Sequence, residues 1–176
     1  MPTAFRPNPR AIVVENHRVR AIMADTPTLF QFEQDFAATL HCVPMGVRLK
    51  LDTCGIKLSL AQWNQFGRAE RQQLMDLPCD APVTIATYRD YLTALIEHHQ
   101  SGPLKTLAVD PHPPWAQSHE IPSAVQKRAE ALGSPLTLGQ WQQLTPLQRF
   151  ALIKLSRPSH ENHNFLPALQ EFGLCG

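Results

Sequence analysis

Four cysteines and eight histidines are the side chains here that could hold a metal or carry out thiol chemistry. The cysteines stand at 42, 54, 79 and 175. Zinc and iron–sulfur sites draw their thiolates in close pairs, commonly C-x-x-C, because one tight turn then offers two ligands to the same centre. This chain has no such pair. Cys42 and Cys54 are separated by mostly helical chain, which at 1.5 Å per residue sets them roughly 18 Å apart. Cys54 and Cys79 each close a helix of one unit, so these are the thiols that can meet. They carry the alternative reading of a thiol or metal carrier, against the plainer one of small buried hydrophobes. His98 and His99 end a helix, where cationic groups suit the macrodipole. His160-x-x-His163, within SHENHN, offers two ligands where structural zinc takes four. No G-x-S-x-G, P-loop, glycine-rich dinucleotide loop or H-E-x-x-H is present, so hydrolytic, phosphoryl-transfer and zinc-protease chemistry lack their parts. The expectation is a non-enzyme with no catalytic residue and no cofactor.

Binding is the remaining chemistry, and its candidates are cationic. Arg48, Lys50 and Lys57 fall within VRLKLDTCGIKLSL, residues 47–60, and are the expected partner contacts. What they can touch depends on the element that carries them. Apolar and polar residues alternate on both sides of Thr-Cys-Gly, which is the signal of a β-hairpin.

An internal repeat decides against the hairpin. VPMGVRLKLDTCGIKLSLAQWNQFGRAERQQLMDL, from Val43, lies without a gap over IPSAVQKRAEALGSPLTLGQWQQLTPLQRFALIKL, from Ile121, at an offset of 78 residues. Identical pairs include Pro44/Pro122, Val47/Val125, Gly55/Gly133, Gln62/Gln140, Trp63/Trp141, Arg71/Arg149 and Leu74/Leu152. Duplicated units share a fold. SAVQKRAEALG consists of good helix formers, with Val125, Ala129 and Leu132 on one face and Gly133 as a left-handed stop. Mapped back, Val47, Leu51 and Cys54 share a face of a short helix that Gly55 ends. Ser59 and Thr137 are N-cap types for the next helix, and Thr145-Pro146 opens the one after it. Trp63 and Trp141 are expected core anchors. Asp52/Glu130 and Arg71/Arg149 keep opposite charges at equivalent places, which suggests a duplicated ion pair, Asp52–Arg71 and Glu130–Arg149.

The fold expected is therefore all-α, a helical bundle of two tandem helical repeats related by a pseudo-twofold axis. Repeat 1 covers about 43–99 and repeat 2 about 121–173, joined by a proline-rich, irregular connector over 101–119 with Trp115 as an anchor. A longer helix runs from about Thr84 to His98. Another, from Leu29, puts Phe32, Phe36 and Leu40 on one face. These parts form a single domain over 28–176. Residues 1–27, with four arginines and four prolines, are read as a flexible tail or as an extension upstream of a true start at Met23. With 43% hydrophobic and 18% charged residues and a net charge of +1, the chain is globular and has no electrostatic case for nucleic acid. No apolar run spans a bilayer, and the sparse cysteines suit a reducing cytoplasm.

FQFEQDF, then HCVPMGVRLKLDTCGIKLSLAQWNQF, ERQQL and LPC, resembles the nitrate-reductase-associated protein family. The likeness is strongest over 29–79 and continues more weakly through the second unit. It implies an accessory role in producing active assimilatory molybdenum nitrate reductase, as a maturation factor or chaperone. The partner would be the apo-reductase or its molybdenum-cofactor delivery machinery. A small-molecule or molybdopterin-cofactor-binding module is the further alternative. The resemblance supplies no catalytic residues.

Overall fold

Glu33 divides the first expected helix. In a computed structural model that describes residues 29–158 and 160–175, apart from the side chains of Phe36, His160 and Glu161, a 3₁₀ turn (Gln31–Glu33) leads into α1 (Gln34–Ala37), which goes no further. The tail or alternative start read into residues 1–27 lies outside the described residues, as does the face assigned to Phe36. The Glu33 carboxylate turns inward and accepts from the amides of Phe30 at 3.1 Å and Met45 at 2.9 Å. Leu40 takes a left-handed φ of +57°. Phe32 and Leu40 consequently pack into two different cores, not along one helical face.

α2 (Met45–Cys54) begins after Pro44 and ends at Gly55, whose φ is +70°. The hairpin is thus excluded, and the helix read from the second copy stands. The strand propensity beyond the glycine still finds a use. β1 (Ile56–Lys57) pairs antiparallel with β2 (Lys105–Thr106), Ile56 opposite Thr106 and Lys57 opposite Lys105. The connector, expected to be irregular, therefore contributes a strand and also a 3₁₀ turn at Pro114–Ala116.

α3 (Leu60–Gln65), α4 (Arg68–Asp76) and α5 (Pro82–His98) complete the first half. α6 (Ser123–Ala131), α7 (Leu138–Gln143), α8 (Pro146–Leu155) and α9 (Phe165–Glu171) follow. The starts of α2, α3 and α4 recur 78 residues later in α6, α7 and α8. Local chemistry recurs with them. Ser59 and Thr137 each accept from the amide of the glutamine three residues on, while Gln62 and Gln140 accept the cap residue's amide. These are reciprocal capping boxes. Gly133 repeats the left-handed stop at +71°.

The apolar residues form two cores. One holds Leu40, Val47, Leu51, Ile56, Trp63, Leu74, Tyr88 and Leu92. The other holds Phe30, Met45, Val125, Trp141, Phe150, Leu152, Phe165 and Leu169. α2 belongs to both: Val47, Leu51 and Cys54 face the first, while Met45 and Leu49 pack on the second. Glu171 joins the ends of the described chain, its carboxylate accepting from the amides of Gln31 (2.8 Å) and Phe32 (3.1 Å). Trp63 and Trp141 are fully buried, as anchors should be. Trp115 packs edge-on against Phe150 at 5.1 Å between centroids. Among the described residues, no helix is long and apolar enough to cross a membrane.

The duplicated ion pair is not formed. Arg71 donates to the carbonyls of Phe66 (2.9 Å), Leu40 (2.8 Å) and Asn64 (3.0 Å), and the Trp63 indole also donates to Leu40, at 2.7 Å. In the second half, Arg149 Nε donates to Trp115 O at 2.9 Å and the Trp141 indole to Gln117 O at 3.1 Å. Each Trp–Arg pair thus clamps the irregular segment leading into its unit, whose inward carbonyls lack helical donors and must be satisfied by side chains. Asp52 instead meets Lys154 of α8 at 2.6 Å, and Glu130 is exposed.

Candidate functional site

Lys50 and Arg48 are two residues apart on α2, and a helix turns about 100° per residue, so they point to opposite sides. Arg48 donates through Nε to Val43 O at 2.9 Å, beside the buried Glu33. Lys50 turns inward. Its ammonium donates to Met75 O and Leu77 O at 2.6 Å and to Leu74 O at 3.3 Å, closing the last turn of α4. It also stands 5.6 Å from the centre of the Tyr88 ring. Burial pulls its pKa down to about 8. This lysine, expected as a surface contact, is a helix cap, because the orphan carbonyls of a C-terminal turn attract a cation.

The two thiols expected to meet lie beside this cap. Cys79 Sγ is 3.7 Å from Lys50 O, and Cys54 Sγ is 3.6 Å from Leu51 O. Cys54 is 2% exposed. Burial pushes both thiols up and, together with a charge on Cys54, carries Cys79 to about 12. Metal binding and thiol exchange use the thiolate, the form that burial disfavours at both positions. The Tyr88 hydroxyl is buried with no hydrogen-bond partner among the described residues, and burial raises its pKa as well. No group of three His, Cys, Asp or Glu side chains among the described residues could hold a metal ion.

Lys57 remains outside, and the connector gives it a neighbour. Leu107 N donates to Gly55 O at 2.9 Å, extending the β1–β2 pairing back to the end of α2. A Cβ on Gly55 would come within 2.7 Å of Val109 Cγ2 and 3.0 Å of Leu107 O. Gly55 therefore both ends the helix and makes room for the ribbon. Arg89 of α5 fixes the same corner by donating to Cys54 O. Lys57 and Lys105, directly opposite each other, are both exposed, and neither forms an ion pair among the described residues. Like charges across a strand pair are unfavourable. Leu104 (39% exposed), Leu107 (39%) and Val109 (54%) flank them. The ribbon is thus a cationic and apolar surface able to bind an acidic, partly apolar partner.

Sequence reasoning missed Lys105 and Glu33. Lys105 lies outside the repeat, and only strand pairing brings it to Lys57. Glu33 shares FQFEQDF with a second carboxylate, Asp35, and nothing in the sequence marks which of the two turns inward as a cap. Comparison with known proteins adds one match. Residues 29–172 fit the family model described as conserved nitrate reductase-associated protein. The chain matches no curated protein and no solved structure.

Proposed function

This chain belongs to the family of conserved nitrate reductase-associated proteins, and from that premise we propose that it is a non-catalytic, cytoplasmic accessory protein of assimilatory molybdenum nitrate reductase. It assists maturation or assembly by binding the reductase or the machinery that delivers its molybdenum cofactor. The observation that supports a binding role is the exposed Lys57–Lys105 pair, two unneutralised cations held face to face beside exposed apolar side chains. Such a pair is relieved by an acidic partner surface, which also speeds encounter. The contact set is therefore redrawn: Lys57 is retained, Lys105 joins it, and Lys50 leaves it. The thiol-carrier alternative has less support, since burial keeps Cys54 and Cys79 protonated.

The test is retention of purified reductase by the immobilised full-length chain. Lys57→Glu with Lys105→Glu should leave the melting temperature nearly unchanged, because exposed charges contribute little to stability. It should weaken reductase binding by about tenfold or more. Full binding by the double reversal would move the working surface elsewhere. Failure of the unaltered chain to retain reductase would refute the reading.

A further inference from the structure

The ribbon has a direction built into its hydrogen bonding. In an antiparallel ladder, hydrogen-bonded and non-hydrogen-bonded pairs alternate. The Leu107 N to Gly55 O bond makes 55/107 a bonded pair, so 57/105 is bonded and Ile56/Thr106 is not. The N–H and C=O of Thr106 therefore point away from β1, to the open side of the ribbon. β1 and β2 are the whole of their sheet, and Thr106 has no hydrogen-bond partner among the described residues. An exposed residue there presents a strand edge ready to be extended.

We infer that this edge of β2 accepts an extended segment of the nitrate reductase as a third strand. The inference rests on the binding role proposed above and specifies how that binding is made. The segment would take main-chain bonds from Thr106, place acidic side chains against Lys57 and Lys105, and lay apolar ones on Leu107 and Val109. Charge also says what the occupant is not. A second copy of this chain pairing edge to edge would set its own lysines against Lys57 and Lys105, which is the way natural edges discourage self-association.

A backbone substitution separates this mode from simple surface attraction. Thr106→Pro removes the outward N–H without breaking a β1–β2 hydrogen bond, and proline is accepted at the unpaired position of an edge strand. Thr106→Val keeps the N–H and the branched shape. Affinities of the full-length variants for purified reductase would be measured by interferometry. Amide exchange over 104–108 in the unaltered chain gives a readout that does not depend on how well the proline variant folds. Thr106→Val should bind like the unaltered chain and Thr106→Pro should bind about tenfold more weakly, since a lost hydrogen bond at a desolvated contact has that effect. Exchange at 104–108 should slow when reductase is added. Equal binding by Thr106→Pro, or exchange unaffected by reductase, would overturn strand addition while leaving the accessory role standing. Absence of any reductase binding would remove both. Protection that grows with the chain's own concentration, without reductase, would overturn the inference in favour of a second copy.

Discussion

Replacing Lys50 by methionine tests what a buried cation does to this fold. Methionine keeps most of the apolar stem and removes the ammonium that closes α4 through three carbonyls. Lys50 titrates at about 8 instead of 10.5, burial being the largest cause. The unfolded chain holds this proton more tightly than the folded one between those two values. Stability from this site is therefore lowest below about pH 8 and rises with pH towards 10.5. The gap corresponds to about 3 kcal/mol. Burial holds Cys79 and Tyr88 protonated in the folded chain while both ionise in the unfolded one within this range, but that contribution is common to the two proteins and drops out of their difference. Urea unfolding of both proteins, followed by tryptophan fluorescence, would be measured at intervals from pH 7 to 10.5. The difference, unaltered chain minus Lys50→Met, should shift by about 3 kcal/mol in favour of the unaltered chain as pH rises. A constant difference would mean that the ammonium is not penalised by burial. A shift of the opposite sign would mean that the three carbonyls outweigh burial and hold the proton above its ordinary value.

Other perturbations test the remaining structural claims. Asp52→Asn and Arg71→Met should act additively, because the two residues bond to different partners. Asp52→Asn with Lys154→Met should instead show a coupling of about 0.5–1 kcal/mol in a double-mutant cycle. Gly133→Ala should cost about 1 kcal/mol, the strain of a left-handed alanine, since nothing lies within 4 Å of the new methyl. Gly55→Ala should cost at least about 2 kcal/mol by denaturation, because its methyl also meets Val109 and forces the ribbon off α2.

Much of the helical framework was legible because the chain states it twice. Gly133 follows an unmistakable helix, so Gly55 had to end one, and the ambiguous VRLKLDTC was resolved by its copy. Ser59 and Thr137 marked their caps directly. The partners of the cations were not legible. Arg71, Arg149 and Lys50 all end on main-chain carbonyls, and every residue has a carbonyl, so the acceptor leaves no trace in the sequence. Asp52 and Glu130 offered an attractive pairing of charges, yet three-dimensional packing brings Lys154 to Asp52 and leaves Glu130 in solvent. The ribbon escaped notice for a related reason. Two-residue strands carry too little periodicity to read, and β2 lies in a stretch whose prolines and exposed residues argued for irregular chain.

The sharing of α2 between two cores fixes the order in which the protein can be completed during synthesis. The first core is assembled from residues 40–96, contiguous in the chain, so its parts are all present once that stretch has emerged. The second needs Phe30 and Met45 together with residues as late as Leu174. Until α8 has been made, the side of α2 that carries Met45 and Leu49 lacks its helical partner, and until α9 follows, Phe30 and Phe32 lack Phe172 and Glu171 cannot accept the amides of Gln31 and Phe32. Domains fold as they are made, N-terminal part first, but here the beginning of the chain waits for its end. The nascent protein thus carries an uncovered sticky face until late in its translation, and α8 and α9 together remove it.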